Sequence, residues 1–277
     1  MIVGNEKQER DLLKDTIPPR NDSKASPGET APETTFFGFS KVPVQEKQNY
    51  VRRHFSSIAL KYDVMNTILS LGLHHFWKRL SVKALGLSSG DLVLDVCGGT
   101  ADLTLLAAKR LGSEGRVVLY DINHDMIEGG RHKVVRSGLA EKVRFVLGDA
   151  EALSLPSDRF DAAMIGFGIR NVTRMDKGLA EMHRILKPGG RMMCLEFSLP
   201  TSPWFRFLYD FYSFRLMPFA GRLLAGNRDA YLYLPESIRM FPSPDAFAAM
   251  LQAAGFTGVT YKRLTNGIAI IYTGIKP

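Results

Sequence analysis

Asp95, Asp121 and Asp149 stand at or near the carboxyl ends of three successive strand-like apolar runs, Leu92–Val96, Arg116–Tyr120 and Val143–Leu147. After the first run comes a turn with two adjacent glycines, Gly98 and Gly99, and then Thr100. Glycine lets the backbone bend sharply and approach a ligand with no Cβ in the way. In a parallel sheet, ligands bind beyond the carboxyl ends of the strands, where the strand order reverses. Asp121, one βα unit after the glycine turn, can accept both hydroxyls of a ribose. Asp149 can accept from an adenine amino group. One such acid alone is more often a helix cap or a solvated loop residue, and a glycine turn alone often binds nothing. Three acids converging on one crevice carry more weight than any member of the set.

The run Gly98-Gly99-Thr100-Ala101-Asp102-Leu103 fails the G-x-G-x-x-G pattern of a dinucleotide site. Asp102 at the helix start would also repel a pyrophosphate. Acids suit a ligand whose reactive end is cationic. S-adenosylmethionine carries a sulfonium, an ammonium and a ribose diol and no phosphate, so charge complementarity favours it over a nicotinamide dinucleotide.

The elements that must position these residues follow a regular order. Strand-like runs at Phe160–Phe167 and Arg191–Phe197 continue the first three, with helical segments at Asp102–Leu111, His124–Ser137 and Met175–Leu186 between them. This alternation predicts an α/β, Rossmann-like, doubly wound sheet with right-handed crossovers. Thr100 or Asp102 is placed to cap the helix after the glycine turn. Ser243-Pro244 starts a further helix, which Gly255 closes. Thr257–Arg263 and Gly267–Ile275, joined at Thr265-Asn266-Gly267, read as an antiparallel hairpin that completes seven strands. Ahead of the sheet, Gln45–Leu71 and His74–Leu85 have helical spacing and are placed to form a lid, residues 45–90, over the first strand's carboxyl end. Residues 203–240 form an aromatic insertion with Trp204, Phe205, Phe207, Phe211, Tyr212, Phe214 and Phe219, interleaved with Arg206, Asp210 and Arg215. The segment Trp204–Leu224 has the period of a helix.

The chain has 277 residues, 45% of them apolar and 23% charged, and a net charge of +8. That supports one full α/β core over residues 45–277. Residues 1–44 mix charge with Pro, Ser, Thr and Glu and are expected to be disordered, although Phe36–Phe39 could dock on the body. Cys97 and Cys194 sit in apolar segments and read as reduced thiols, and the six histidines lack zinc-ligand spacing, so no metal is expected. There is no apolar run of membrane-spanning length, and the first residues do not read as a secretory leader, so none is expected. A pI near 9.5 is compatible with RNA, but no basic stripe with stacking aromatics accompanies it.

Six blocks make the chain similar to a known family. They are FSSIALKYDVMN (Phe55–Asn66), LDVCGGTADLT (Leu94–Thr104), YDIN (Tyr120–Asn123), GDAEALSLP (Gly148–Pro156), IGFGIRNV (Ile165–Val172) and LKPGGR with LEFS (Leu186–Ser198). Together they resemble the class I S-adenosylmethionine-dependent methyltransferases, and more narrowly the C-methyltransferases of menaquinone and ubiquinone biosynthesis. The resemblance runs from about Val51 to the C-terminus. Cys97 and Ala101 stand where glycines are common in the wider superfamily.

By this resemblance Thr100, Asp121, Asp149 and Ala150 contact the methyl donor, beside Asp95, Gly98 and Gly99 of the turn. Gly166 holds a position where some members place a serine, and it offers no hydroxyl. Arg170, Asn171 and Tyr62 face the acceptor. The implied reaction is C-methylation of a prenylated quinol, demethylmenaquinol or the ubiquinol precursor, at the cytoplasmic face of a membrane, with a homodimer left open. A methyltransferase for another small molecule, or a non-catalytic donor-binding scaffold, are the competing readings.

Overall fold

A computed structural model of the chain describes residues 33–216 and 228–277. The expectation of disorder over residues 1–32, and the part of the aromatic segment that includes Phe219, lie outside the described residues. Order begins earlier than the composition suggests. Strands β1 (Thr34–Phe37) and β2 (Ser40–Pro43) pair as a hairpin that fits no disordered tail. Its hold is local and aromatic. Phe37 stacks on Tyr233 with ring centroids 4.2 Å apart, and the Phe39 amide donates to Glu236 Oε2 at 3.1 Å.

The segment expected to form a lid is three helices, α1 (Val44–Ile58), α2 (Tyr62–Leu69) and α3 (Leu73–Ala84). A short 3-10 turn at Ala59–Lys61 breaks the single long helix that the spacing predicts. Then come β3 (Leu92–Val96), α4 (Asp102–Ala108), β4 (Arg116–Asp121), α5 (His124–Arg136), β5 (Val143–Leu147), β6 (Phe160–Gly166), α6 (Met175–Ile185) and β7 (Leu186–Phe197). The chain continues through α7 (Pro203–Phe211), α8 (Arg228–Met240), α9 (Pro244–Ala253), β8 (Thr257–Leu264) and β9 (Ala269–Ile275).

The main sheet has seven strands in the order β5-β4-β3-β6-β7-β9-β8. Pairings from β5 through β7 are parallel, and β9 is antiparallel to both neighbours. The order reverses between β3 and β6, so the crevice for a ligand opens beyond their carboxyl ends. Successive strand residues feed opposite layers. Val93 and Met164 pack with Trp77, Leu103 and Ile127 of α3, α4 and α5. Leu94 and Ile165 pack with Met182 and Phe247 of α6 and α9. Burial on both faces is why the central strands are nearly continuous apolar runs. The last hairpin turns through Thr265, Asn266 and Gly267, all at positive φ.

Candidate active site

The site is built around the turn that leaves β3. Cys97 (φ 53°), Gly99 (φ 50°) and Ala101 (φ 68°) are all left-handed, a conformation that costs a side-chain-bearing residue roughly 1–2 kcal/mol. Cys97 and Ala101, which stand where glycines are common, therefore keep the glycine conformation. Gly98 is glycine for space, since a Cβ there would lie 2.6 Å from Leu119 Cγ. Helix α4 starts after Ala101 without a side-chain cap, so neither Thr100 nor Asp102 does the capping expected of it. Both are drawn elsewhere. Thr100 Oγ1 donates to Asp63 Oδ1 at 2.6 Å, and Asp102 Oδ2 accepts from Lys78 Nζ at 2.7 Å. Lys133 bridges Asp102 and Asp63, and with the Lys78–Asp102 pair this ties α2 and α3 to the glycine turn. Against the desolvation of burial, Lys78 and Lys133 hold the Asp102 carboxyl well below the usual range.

The three acids sit as their strand ends predict. Asp121 Oδ2 accepts from the Gly99 amide at 2.9 Å and Oδ1 from the Asn123 amide at 2.8 Å, which fixes its carboxylate beside the turn. Burial raises its pKa, and the backbone donors work against that rise. Asp95 accepts from Thr104 Oγ1 at 2.6 Å through Oδ2. Its Oδ1 is buried and has no hydrogen-bond partner. Burial pushes this carboxyl up to about 7. Asp149 Oδ1 accepts from the Glu151 amide at 2.9 Å, and Oδ2 from Gln48 Nε2 of α1 at 2.7 Å.

Asp95, Gly98, Gly99, Thr100, Asp121 and Gly166 line one small cavity, and Asp121, Asp149 and Ala150 an adjoining one. Cys97, Asp121, Gly168 and Asn171 are common to both, so the donor-side space is continuous. A Cβ on Gly166 would lie 2.4 Å from Leu103 Cδ1, so a serine here would require the Leu103 side chain to shift.

On the other side lies an apolar cavity of about 310 Å³, in the range of small-molecule pockets. Phe55, Tyr62, Lys78 and Phe167 line both this cavity and the donor-side one, so they form the junction. Tyr62 is thus at the junction and Arg170 in the acceptor wall. Asn171 lines only the donor-side cavities, and its Oδ1 accepts from Tyr233 Oη, an acceptor-side residue, at 2.7 Å. Arg170 Nη1 is 2.7 Å from Glu196 Oε1, with both side chains buried. Burial raises the Glu196 carboxyl, and the Arg170 cation works against that rise.

Aromatic residues 203–216 divide by face. Phe205, Tyr209 and Tyr212 line the cavity, whereas Trp204, Phe207 and Phe211 are exposed. Phe214 lies under Arg239, 4.1 Å from its ring centroid, so Phe211 and Phe214 do not line the pocket.

Sequence reasoning missed Gln48, Asp63, Lys78, His54, Glu196 and Tyr233. Asp63 was visible as an acid in the KYDVMN block, but its partner Lys133 is seventy residues away. His54, in the acceptor wall, is held neutral at about 4 by burial and by Arg170.

The sheet order is that of the class I methyltransferase fold. A SAM dependent methyltransferase from Aquifex aeolicus superposes with a TM-score of 0.51 at 18% identity, over 72% of this chain and 89% of that one. The [4+2]-cyclase SpnF superposes with a TM-score of 0.62 at 15% identity, over 83% and 96%, so the fold alone does not fix the reaction. The chain belongs to the ubiE/COQ5 methyltransferase family, whose model matches residues 43–276. The Ubiquinone/menaquinone biosynthesis C-methyltransferase UbiE of Methylococcus capsulatus is 49% identical over 243 residues, 88% of this chain and 98% of that protein. The protein of the same name from Marinomonas sp. is 47% identical over 244 residues, 88% and 97%. The family is S-adenosylmethionine-dependent, and the unpartnered Asp95 Oδ1 is the kind of acceptor that a ligand ammonium satisfies, so the residues fit the donor.

Proposed function

We propose that this chain, a C-methyltransferase of quinone biosynthesis by its family, methylates a ring carbon of a prenylated quinol across the junction formed by Phe55, Tyr62, Lys78 and Phe167. The observation that carries the reading is a shared wall. An acid-lined crevice and an apolar cavity meet at those four residues. Asp121 takes the ribose hydroxyls, Asp149 with Ala150 the adenine, and Asp95 with Thr100 and the Gly98-Gly99 backbone the amino acid end. Bound there, S-adenosylmethionine supplies a methyl group on a cationic sulfur, which needs positioning and dryness more than acid–base help.

The protein's own part lies on the acceptor side. The ring carbon becomes nucleophilic when the neighbouring hydroxyl loses its proton. Arg170 cannot take that proton, because a guanidinium stays charged. It stabilises the phenolate that develops, and with Asn171 it orients the water that accepts the proton. Tyr62 orders the acceptor hydroxyl at the junction. Phe205, Tyr209 and Tyr212 shelter the start of the prenyl tail. A prenylated acceptor resides in a bilayer, so the enzyme works in peripheral contact with a membrane at its cytoplasmic face. Among the described residues no helix is long and apolar enough to cross one. Dimer formation is a separate proposal that sedimentation of the full chain measures.

Quinone analysis by mass spectrometry in a strain lacking the protein tests this reading. Accumulated demethylmenaquinone, or the demethylated ubiquinone precursor, is expected. An unchanged quinone pool overturns it.

A further inference from the structure

The large apolar side chains that the fold leaves in water are not scattered. Sixteen are exposed among the described residues, and ten of these fall within residues 60–76 and 204–211. Scattered single exposures need no explanation, but a contiguous group does. Leu60, Val64 and Ile68 recur every four residues and so make one ridge along α2 and the turn before it. Trp204, Phe207, Leu208 and Phe211 make a second ridge at helical spacing along α7, which has no buried side chain at all. The two segments belong together, because Tyr212 Oη just after α7 donates to the Leu69 carbonyl of α2 at 2.7 Å. Leu71, Leu73 and Leu208 are exposed and also line the acceptor cavity. The apolar surface therefore runs unbroken from solvent into the cavity.

We infer that the two ridges form a collar that docks on an anionic lipid bilayer and sets the cavity mouth against it. This rests on the proposed prenylated acceptor and names the surface through which it enters. Two observations select lipid as the occupant. The first is the continuity with the cavity, which a lipid-borne substrate requires and a second copy of this chain would block. The second is charge. Exposed Lys61, Arg206 and Arg215 accompany the apolar side chains. The two acids of the same segments, Asp63 and Asp210, are paired with Lys133 and Arg239. An apolar face rimmed by basic residues is the pattern of a helix lying in the interface of an anionic membrane.

The test uses the full chain and vesicles of phosphatidylcholine with and without phosphatidylglycerol. The chain has two tryptophans. Trp77 is 2% exposed and Trp204 is 69% exposed, so the emission reports on α7. Vesicles containing phosphatidylglycerol should sediment the protein and shift Trp204 emission to the blue. Replacing Leu60, Val64, Phe207 and Phe211 together with serine should weaken vesicle binding about tenfold or more. None of the four lines the cavity, so turnover of a short-tailed quinol in solution should be unchanged. The collar is overturned if the wild type ignores the vesicles, if its emission does not move, or if the serine variant binds equally. A wild-type dimer that the same serines convert to monomer assigns the surface to a second copy and also overturns it. Absence of turnover of the short-tailed quinol by the wild type rejects the proposed reaction instead, independently of the vesicle result.

Discussion

Thr100 of the glycine turn and Asp63 of the lid share one hydrogen bond, Oγ1 to Oδ1 at 2.6 Å, so donor loop and lid are one unit. The other Asp63 oxygen holds Lys133 at 2.7 Å. Asp63→Ala removes both contacts, and Asp63→Asn keeps an acceptor for Thr100 but loses the ion pair. Charge-assisted hydrogen bonds contribute more than neutral ones, so donor affinity should fall about tenfold in the alanine variant and less in the asparagine variant. Calorimetry with S-adenosylmethionine checks this. Wild-type affinity in Asp63→Ala would uncouple the lid from the turn.

Arg170 and Glu196 are both buried and 2.7 Å apart, which gives the arginine a structural partner as well as a place in the acceptor wall. Removing one member of such a pair typically costs about 3–5 kcal/mol, while replacing both with apolar residues can be nearly neutral. Glu196→Gln should lower the melting temperature sharply. The double variant Arg170→Met with Glu196→Leu should recover most of that stability and still fail to turn over quinol. Turnover in the stable double variant would reduce Arg170 to a structural residue.

Gly166 abuts Leu103, at the start of α4, so closely that a Cβ would lie 2.4 Å from Cδ1. Gly166→Ser should cost about 1–3 kcal/mol through overpacking. Adding Leu103→Ala to it should return part of that loss. A double-mutant cycle from urea unfolding measures the coupling, and additive effects would show that Leu103 is not the obstacle.

The fold was legible because burial on both sheet faces writes apolar runs, and glycine and proline mark their ends. The strand ends alone bring Asp95, Asp121 and Asp149 to the same edge of the sheet, where they line two adjoining cavities. What the residues could not show is pairing across the chain. Gln48 reaches Asp149 from 101 positions away, and Tyr233 reaches Asn171 from 62. Spacing rules cover a helix face or a strand, and such bonds are set by packing of whole elements. The β1–β2 hairpin was missed for a related reason. Average composition over residues 1–44 argues for disorder and leaves Phe36–Phe39 only as a segment able to dock, because that docking depends on Tyr233 and Glu236 far along the chain.

Asp95 carries a pH signature of its own. Burial pushes its carboxyl up to about 7, well above the ordinary carboxylate range. A raised carboxyl contributes stability below the unfolded value that is lost as pH rises through the folded one. Between these values the loss approaches about 1.4 kcal/mol per pH unit. Asp95→Asn should therefore melt higher than wild type at pH 8, yet bind S-adenosylmethionine more weakly, having lost the charge that an ammonium seeks. Binding to the wild type at pH 7 should release roughly half a proton, since a group at its pKa is half protonated, seen as a dependence of the binding enthalpy on the buffer. Equal melting and equal affinity in the variant would remove Asp95 from both roles.

Tyr233 links the N-terminal hairpin to the reacting region. Its ring stacks on Phe37 at 4.2 Å and its hydroxyl donates to Asn171 Oδ1 at 2.7 Å. Burial pushes that hydroxyl up to about 12, so it stays a donor through the neutral range. Tyr233→Phe keeps the stack and deletes the donor, which leaves the Asn171 side chain with the long 3.5 Å bond from its Nδ2 to the Phe167 carbonyl. Asn171 lies on the donor side of the junction, and its proposed task is to orient the water that takes the quinol proton. The change should therefore lower kcat by about tenfold, as expected for a general-base step that has lost its alignment, with little effect on donor KM. Tyr233→Leu removes the stack as well and should add a loss of stability through the hairpin. Equal kcat in wild type and Tyr233→Phe would mean that Asn171 needs no such support, and the oriented-water role would fall with it.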